Sequence, residues 1–399
     1  MPRLALYNEC TGCMACYNAC PKSAIDLVKN KEGFLQPVVM TEQCVDCKLC
    51  EKSCPIVTPL GVREIVPSAY AVWHETDRRV SSSGGAFSAF ARMVLAQGGV
   101  VVGAAFDKDL YLRHIAIDCV EGLAALRGSK YVQSEIGETF KRVRNYLNEG
   151  RKVFFCGTPC QVAGLRGYLK KNHDNLLMAD LVCHGVPSGG VFQSYLKKLE
   201  NRLASAGKGM PIVNYEFRRR DGWGLAPSIS TASNCRPLYG VDALYMEAFD
   251  KSAIFRESCY HCPFARMPRV GDVTLADFWG IGRHGKKFKH NVMKGVSLVL
   301  VNNATGEKAM DALADDTFVE ERTLDEALVE NRNLTGSSMR HAQRNEIIGA
   351  FLNEQMSLEE IDRRFHLVDH SVKGQVKMWS LKLGLFEKVK VIYNWYKSL

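Results

Sequence analysis

The 399-residue sequence lacks any apolar run approaching the ~20 residues that a helix needs to cross a bilayer. It lacks a secretory start as well: Met1-Pro2-Arg3-Leu4 runs towards a cysteine motif with no apolar stretch between them. Both absences lead to the expectation of a cytoplasmic chain without a transmembrane segment. In that reducing compartment clustered cysteines hold metal more often than they form disulfides. Missing too is a compact basic motif interleaved with stacking aromatics, so nucleic acid is not an expected partner. The formal charge of +9 arises partly in the tail, where Lys373, Lys377, Lys382, Lys388, Lys390 and Lys397 face only Glu387. Disorder is excluded by a composition that is 46% apolar and 24% charged, ordinary for a globular chain.

Cysteine, by contrast, is abundant, and eight of the fifteen fall between Cys10 and Cys54. The first run reads Cys10-Thr-Gly-Cys13-Met-Ala-Cys16-Tyr-Asn-Ala-Cys20-Pro21, and the second Cys44-Val-Asp-Cys47-Lys-Leu-Cys50-Glu-Lys-Ser-Cys54-Pro55. Both are C-x2-C-x2-C-x3-C-P. Three thiolates at that spacing reach neighbouring irons of one cubane, and the fourth, carried off by a short helix, ligates the other cluster. Cys10, Cys13, Cys16 and Cys54 are thus expected to hold one 4Fe–4S cluster, and Cys20, Cys44, Cys47 and Cys50 a second. Structural zinc competes for sets of four cysteines, but usually through two separated C-x2-C pairs. Between the runs, Ala24–Val28 and Leu35–Val39 predict a strand hairpin turning at Asn30-Lys31-Glu32-Gly33.

Val57 to Pro67, with Pro59 and Gly61, reads as a linker, so a ferredoxin-type α+β domain is expected over 1–60. From Ala69 strands and helices alternate. A helix is predicted over Ala86–Leu95, a strand over Val100–Val102, a helix over Glu135–Leu147 and a strand over Lys152–Phe155. A further helix is predicted after Cys160 and a strand over Leu176–Val182. This succession predicts an α/β domain with a mainly parallel sheet over 68–300, then a mainly helical region over 301–399. The tail from Val372 sets lysines among Trp379, Phe386, Tyr393, Trp395 and Tyr396. Peripheral membrane contact, docking on a partner and a solvated terminal helix are all open to it.

Four loops carry candidate chemistry. Ser81-Ser82-Ser83-Gly84-Gly85 precedes a helix, where free N–H groups suit a phosphate, although such a segment is also an ordinary cap. Cys156-Gly157-Thr158-Pro159-Cys160-Gln161 lies at the carboxyl end of a strand, where open α/β sheets bind ligands. Its cysteines read as redox thiols, cluster ligands or buried side chains. Cys183-His184-Gly185 ends the next strand, and His184 reads as a proton donor, a ligand or a structural histidine. Cys259-x2-Cys262 needs partners, and the thiols available are Cys183 with Cys156 or Cys160. A third cluster, a zinc site or a thiol pair would each use them.

Taken in order, these motifs resemble the beta-subunit family of coenzyme F420 hydrogenases and dehydrogenases, over roughly Ser68 to Arg283. The likeness includes Ser83-Gly84-Gly85, Gly128-Ser129-Lys130-Tyr131-Val132-Gln133, Cys156 to Gln161, Cys183-His184-Gly185 and Cys259-x2-Cys262. Gly271-Asp272 and Asp277-Phe278-Trp279-Gly280 complete it. The sequence is similar also to the plant reductases acting on hydroxymethyl chlorophyll. The resemblance implies FAD in the α/β domain with a 4Fe–4S cluster beside it, passing electrons between one-electron carriers and a two-electron acceptor. It implies Ser83, Gly84, Gly85, Ser129, Lys130, Thr158, Pro159 and Gln161 as flavin or phosphate contacts. It implies Cys259 and Cys262 as cluster ligands, completed by Cys183 and one of Cys156 and Cys160, with Cys160 assigned.

A ferredoxin-type module at the N-terminus departs from members that rely on clusters in other subunits. The acceptor therefore need not be a deazaflavin, and ferredoxin or another redox protein becomes the expected donor. A flavin suits such a chain because it takes single electrons and passes on pairs. His184, Asp277 and Arg218-Arg219-Arg220 are candidates for supplying protons or holding an anionic small-molecule acceptor. The competing reading is a non-enzymatic electron-transfer subunit that docks on a partner oxidoreductase.

Overall fold

Left-handed residues open both N-terminal helices in this computed structural model, which describes residues 1–61, 65–218 and 226–382. Met14 (φ 58°) precedes α1 (Ala15–Ala19), and Lys48 (φ 60°) precedes α2 (Leu49–Ser53). The two cysteine runs thus fold as copies of one loop and helix. Between them β1 (Ile25–Lys29) pairs antiparallel with β2 (Leu35–Val39), Ile25 opposite Val39. The turn is fixed by Asn30, whose Oδ1 accepts from the Glu32 and Phe34 amides at 2.9 Å, with Gly33 at φ +77°. The expected hairpin is present.

The larger part alternates as expected from residue 68. Its elements are β3 (Ser68–His74), α3 (Ala86–Leu95), β4 (Val100–Phe106), β5 (Leu112–Ile117), α4 (Leu123–Leu126), α5 (Thr139–Asn148), β6 (Val153–Gly157), α6 (Pro159–Leu169), β7 (Leu176–Leu181) and α7 (Gly189–Ser205). There follow β8 (Asn214–Glu216), β9 (Ser228–Ser230), β10 (Cys235–Pro237), α8 (Leu244–Asp250), β11 (Val273–Asp277) and β12 (Ser297–Val301). Eight strands form one sheet in the order β13-β3-β12-β11-β7-β6-β4-β5, with β13 (Thr317–Arg322) at one edge. The central strands β4, β6, β7 and β11 run parallel, and the flanking pairs are antiparallel. Val100-Val-Val, Val153-Phe-Phe and Leu176-Leu-Met are buried on both faces, as parallel strands between helical layers require. Strands β8 to β10 make a separate three-stranded sheet.

Three sequence expectations are corrected in detail. Helix α5 begins at Thr139, not near Glu135, because Glu135 bridges Arg113 and Gly137 takes φ +49°. Helix α6 begins before Cys160: Thr158 and Gln161 form a capping box around Pro159 at the first helical position. Cys160 therefore lies inside its first turn. Beyond residue 301 the chain forms α9 (Ala304–Asp311), α10 (Leu324–Glu330), α11 (Arg344–Leu352), α12 (Leu358–Phe365) and α13 (Val372–Lys382). It also contributes β13, which pairs with β3, so part of the expected helical region completes the main sheet. Among the described residues no helix is long and apolar enough to cross a membrane. Arg219, Arg220, Phe386, Glu387, Lys388, Lys390, Tyr393, Trp395, Tyr396 and Lys397 lie outside the described residues.

Candidate functional site

The eight N-terminal thiols fall into two groups. Burial pushes the Cys16 thiol well up, and nearby Cys13, Cys10 and Cys54 sulfurs push it further. Cys13 is raised in the same way by burial and by Cys54, Cys160 and Cys10. Cys20, Cys44, Cys47 and Cys50 instead rim a separate small void beneath Ile25 and Val39. The Ala24 amide donates to Cys20 Sγ at 3.2 Å. The structure thus brings together the two interleaved sets read from the spacing, each taking its fourth cysteine from the other run.

A third set forms far from both in sequence. Cys160 in α6, Cys183 after β7, and Cys259 and Cys262 line one enclosed void. Burial and the neighbouring sulfurs push Cys160 up to about 11 and Cys259 up to about 12. Thiolates crowded and buried in this way repel one another, and a cationic iron–sulfur core would remove that penalty. The donor sets are all sulfur, and among the described residues no such group closes on a single ion-sized position. Buried Arg269 also lines this void, paired with Asp180 at 3.0 Å.

The thiol void abuts a cleft of about 290 Å³ at the carboxyl ends of β6, β7 and β11. Thr158, Cys183, Gly185 and Val186 line both. The Thr158 hydroxyl lies 3.2 Å from Cys160 Sγ, so the first turn of α6 is the partition between them. Cys156 faces the cleft and not the void, and its thiol is pushed by burial up to about 12.

The remaining expected contacts divide. Ser83, Gly85, Ser129, Lys130, Thr158 and Gln161 line the cleft. Gly84 and Pro159 do not. A Cβ on Gly84 would lie 2.2 Å from the Val72 carbonyl oxygen, so that glycine permits close packing of the loop on β3. Pro159 lines the thiol void. The Ser129 amide donates to Ser82 Oγ at 2.8 Å, which ties the two cleft loops together. Lys130 Nζ donates to the carbonyls of Leu126, Arg127 and Gly128, closing the end of α4. His184, Asp277 and Arg218 meet at the cleft's other wall. Burial alone would depress the Arg218 guanidinium, but Asp277 at 2.5 Å holds it charged.

Sequence reasoning missed the groups that seat the cysteine module on the cleft domain. Buried Arg256 donates from Nε to the Cys10 carbonyl at 2.7 Å and from Nη1 to Leu35 O and Gln133 Oε1. Ser258 Oγ donates to the same Cys10 carbonyl at 3.1 Å. Both lie within three residues of Cys259, and that proximity was the available signal. His114 is also buried beside the cleft, its Nδ1 2.6 Å from Ser134 Oγ and its Nε2 3.1 Å from the Cys156 carbonyl.

Residues 150–327 match the family model described as the C terminus of the coenzyme F420 hydrogenase/dehydrogenase beta subunit. Residues 9–57 match that of a 4Fe–4S dicluster domain. The resemblance read from the motifs is thus borne out, and the chain is an iron–sulfur protein related over that region to those beta subunits. An uncharacterized polyferredoxin-like protein of Methanocaldococcus jannaschii is 28% identical over 79 residues, 16% of this chain and 47% of that protein. The chain therefore spans about half the length of that curated relative. Among solved structures, one from the F420-reducing [NiFe] hydrogenase complex of Methanosarcina barkeri superposes with a TM-score of 0.42. It is 16% identical and covers 68% of this chain and 93% of that one.

Proposed function

We propose that this chain is a cytoplasmic iron–sulfur flavoprotein oxidoreductase, with a ferredoxin-class donor at one end and a two-electron acceptor in the cleft at the other. The observation that carries this reading is the wall of Thr158, Cys183, Gly185 and Val186 common to the third thiol void and the cleft. In this reading Cys20, Cys44, Cys47 and Cys50 hold one 4Fe–4S cluster, Cys10, Cys13, Cys16 and Cys54 the next, and Cys160, Cys183, Cys259 and Cys262 a third. The order follows from the neighbours: Cys50 of the first set packs in one apolar cluster with Cys16 of the second, Cys13 lies near Cys160, and Cys183 reaches the cleft. The cleft fits FAD in its donor set. Ser83 and Gly85 line the cleft at the mouth of α3, Ser129 is tied beside them through Ser82, and Thr158 and Gln161 stand at the mouth of α6. A flavin there would collect single electrons and release them in pairs.

The chain's own residues would do the rest. Arg218, held by Asp277, presents a fixed guanidinium at the far wall that could hydrogen-bond an acceptor such as a deazaflavin, and His184 is placed to move a proton.

The decisive experiment measures iron, acid-labile sulfide and flavin per chain in protein purified without oxygen. About twelve irons and one flavin support the reading, since each cluster contributes four. About eight irons without flavin would reduce it to a ferredoxin module fused to a binding domain.

A further inference from the structure

A second concave surface lies away from the cleft. A groove of about 560 Å³ runs between residues 55–61 of the cysteine module and residues 263–270 of the larger domain, with the end of α6 as its third side. Its floor is apolar, formed by Ile56, Leu60, Phe264 and Val270. Five cations and no carboxylate line it among the described residues. Two of the five are neutralised: Arg166 pairs with Asp272 at 2.7 Å and Arg269 with Asp180 at 3.0 Å. Lys170, Lys171 and Arg266 stand exposed on the rim and make no ion pair among the described residues. An apolar floor with a single-sign rim is the make-up of a protein-docking face for a partner of opposite charge.

Its place in the chain says what kind of partner. Pro55 follows Cys54 directly, Pro263 follows Cys262 directly, and both prolines line the groove. The backbone at this surface thus carries one thiol from each of two sets. We infer that this groove is the docking surface for a small, acidic electron-carrier protein of the ferredoxin class. This deepens the function proposed above and rests on it. At each encounter the reduced carrier's own iron–sulfur centre would lose one electron, which a cluster held by the Cys10 or Cys160 set would gain. Two encounters supply the pair that leaves through the cleft. Entry at the groove would join the series proposed above at its second or third set and leave the Cys20 set as a side branch; Cys47 of that set is exposed and offers the competing entry point.

The test uses the full chain purified without oxygen and, as probe, an acidic plant-type 2Fe–2S ferredoxin reduced photochemically. Stopped-flow spectroscopy would follow its oxidation by wild type, by the triple variant Lys170→Glu/Lys171→Glu/Arg266→Glu, and by Lys22→Glu beside Cys20. At low ionic strength the triple variant should transfer at least ~10-fold more slowly, the gap closing as salt screens the rim. Lys22→Glu should stay within about twofold of wild type, since Lys22 lies outside the steering rim. Equal rates for the triple variant and wild type, with matching iron content and matching reduction by dithionite, would overturn the docking assignment. So would slowing by Lys22→Glu alone. If wild type carried no iron, the proposed function would fail separately, and docking would then be read from titration with gallium-substituted ferredoxin. Salt-sensitive binding lost in the triple variant would sustain the groove, and equal binding would overturn it.

Discussion

An added Cβ on Gly164 would stand 3.0 Å from both Cβ and Sγ of Cys13. Helix α6, which carries Cys160 in its first turn, therefore rests bare backbone on the loop that carries Cys13. One turn on, a Cβ at Gly167 would lie 2.3 Å from the Ser53 carbonyl oxygen in α2. Glycine costs a helix interior ~0.5–1 kcal/mol relative to alanine. Two in one eleven-residue helix act against propensity, and what they permit is the close approach of two thiol sets across one wall.

Gly167→Ala should therefore destabilise, although alanine is the better helix former. The Ser53 carbonyl is backbone and cannot swing aside, so overpacking of ~1–3 kcal/mol should exceed the propensity gain. Urea midpoints of the two proteins decide the matter, and an unchanged or higher midpoint would show that α6 and α2 do not touch as described.

A second tie between the modules is ionic. Arg344 of α11 is fully buried and reaches Glu32 in the hairpin turn, Nη1 to Oε1 at 2.7 Å and Nη2 to Oε2 at 2.8 Å. Its Nε donates to the Phe255 carbonyl at 2.8 Å. Removing one member of a buried pair costs ~3–5 kcal/mol, but Glu257 at 3.3 Å would partly compensate Arg344. Glu32→Gln should thus cost about 3 kcal/mol, at the low end for a broken buried pair. A double-mutant cycle with Arg344→Met should give a coupling above ~1 kcal/mol. Coupling indistinguishable from zero would mean the pair does not join the modules.

What could be read from the sequence was what local spacing encodes. The repeated cysteine run determined both N-terminal sets, because three thiols at spacing three and a fourth on a short helix have few other uses. Asn30 to Gly33 announced the hairpin through turn chemistry that acts within four residues. Arg344 and Glu32 are 312 positions apart, and no periodicity links them. Strand β13 was equally hidden. Thr317 to Arg322 is short, half-exposed and charged at its end, and its strand character comes from pairing with β3. The choice between Cys156 and Cys160 stayed open in the sequence because it depends on where α6 begins. Starting the helix at Pro159 leaves Cys156 on β6 facing the cleft and turns Cys160 towards Cys183, Cys259 and Cys262.

That separation predicts different phenotypes for two cysteines four residues apart. Cys160→Ser should lower bound iron from about twelve to about eight per chain, while Cys156→Ser should leave iron near twelve. Iron assay with low-temperature electron paramagnetic resonance of the dithionite-reduced proteins separates the cases. Equal iron loss in both variants would mean that the thiol void does not discriminate between them. Loss confined to Cys156→Ser would move the third site into the cleft wall.

The last prediction concerns acid stability and comes from His114. Burial pushes its imidazole down to about 4, and the Cys156 carbonyl only partly opposes that. The ring is held neutral: a carbonyl can only accept, so Nε2–H donates to Cys156 O, and Nδ1 accepts from the Ser134 hydroxyl. In the unfolded chain the same group titrates near 6.5. The folded state therefore binds fewer protons between those two values, and its stability falls as pH drops through that window. The slope from this one group approaches ~1.4 kcal/mol per pH unit, reaching ~3 kcal/mol when both states are protonated. His114→Gln removes the titration whatever it does to stability at neutral pH. The readout is therefore the slope of unfolding free energy against pH between about 6.5 and 4, where His114 changes charge. Wild type should lose stability more steeply than His114→Gln across that window, with the curves parallel above pH 7. Parallel curves throughout would show that the imidazole takes up its proton as readily in the folded protein as in the unfolded chain, and that the Ser134–His114–Cys156 chain does not hold it neutral beside the cleft.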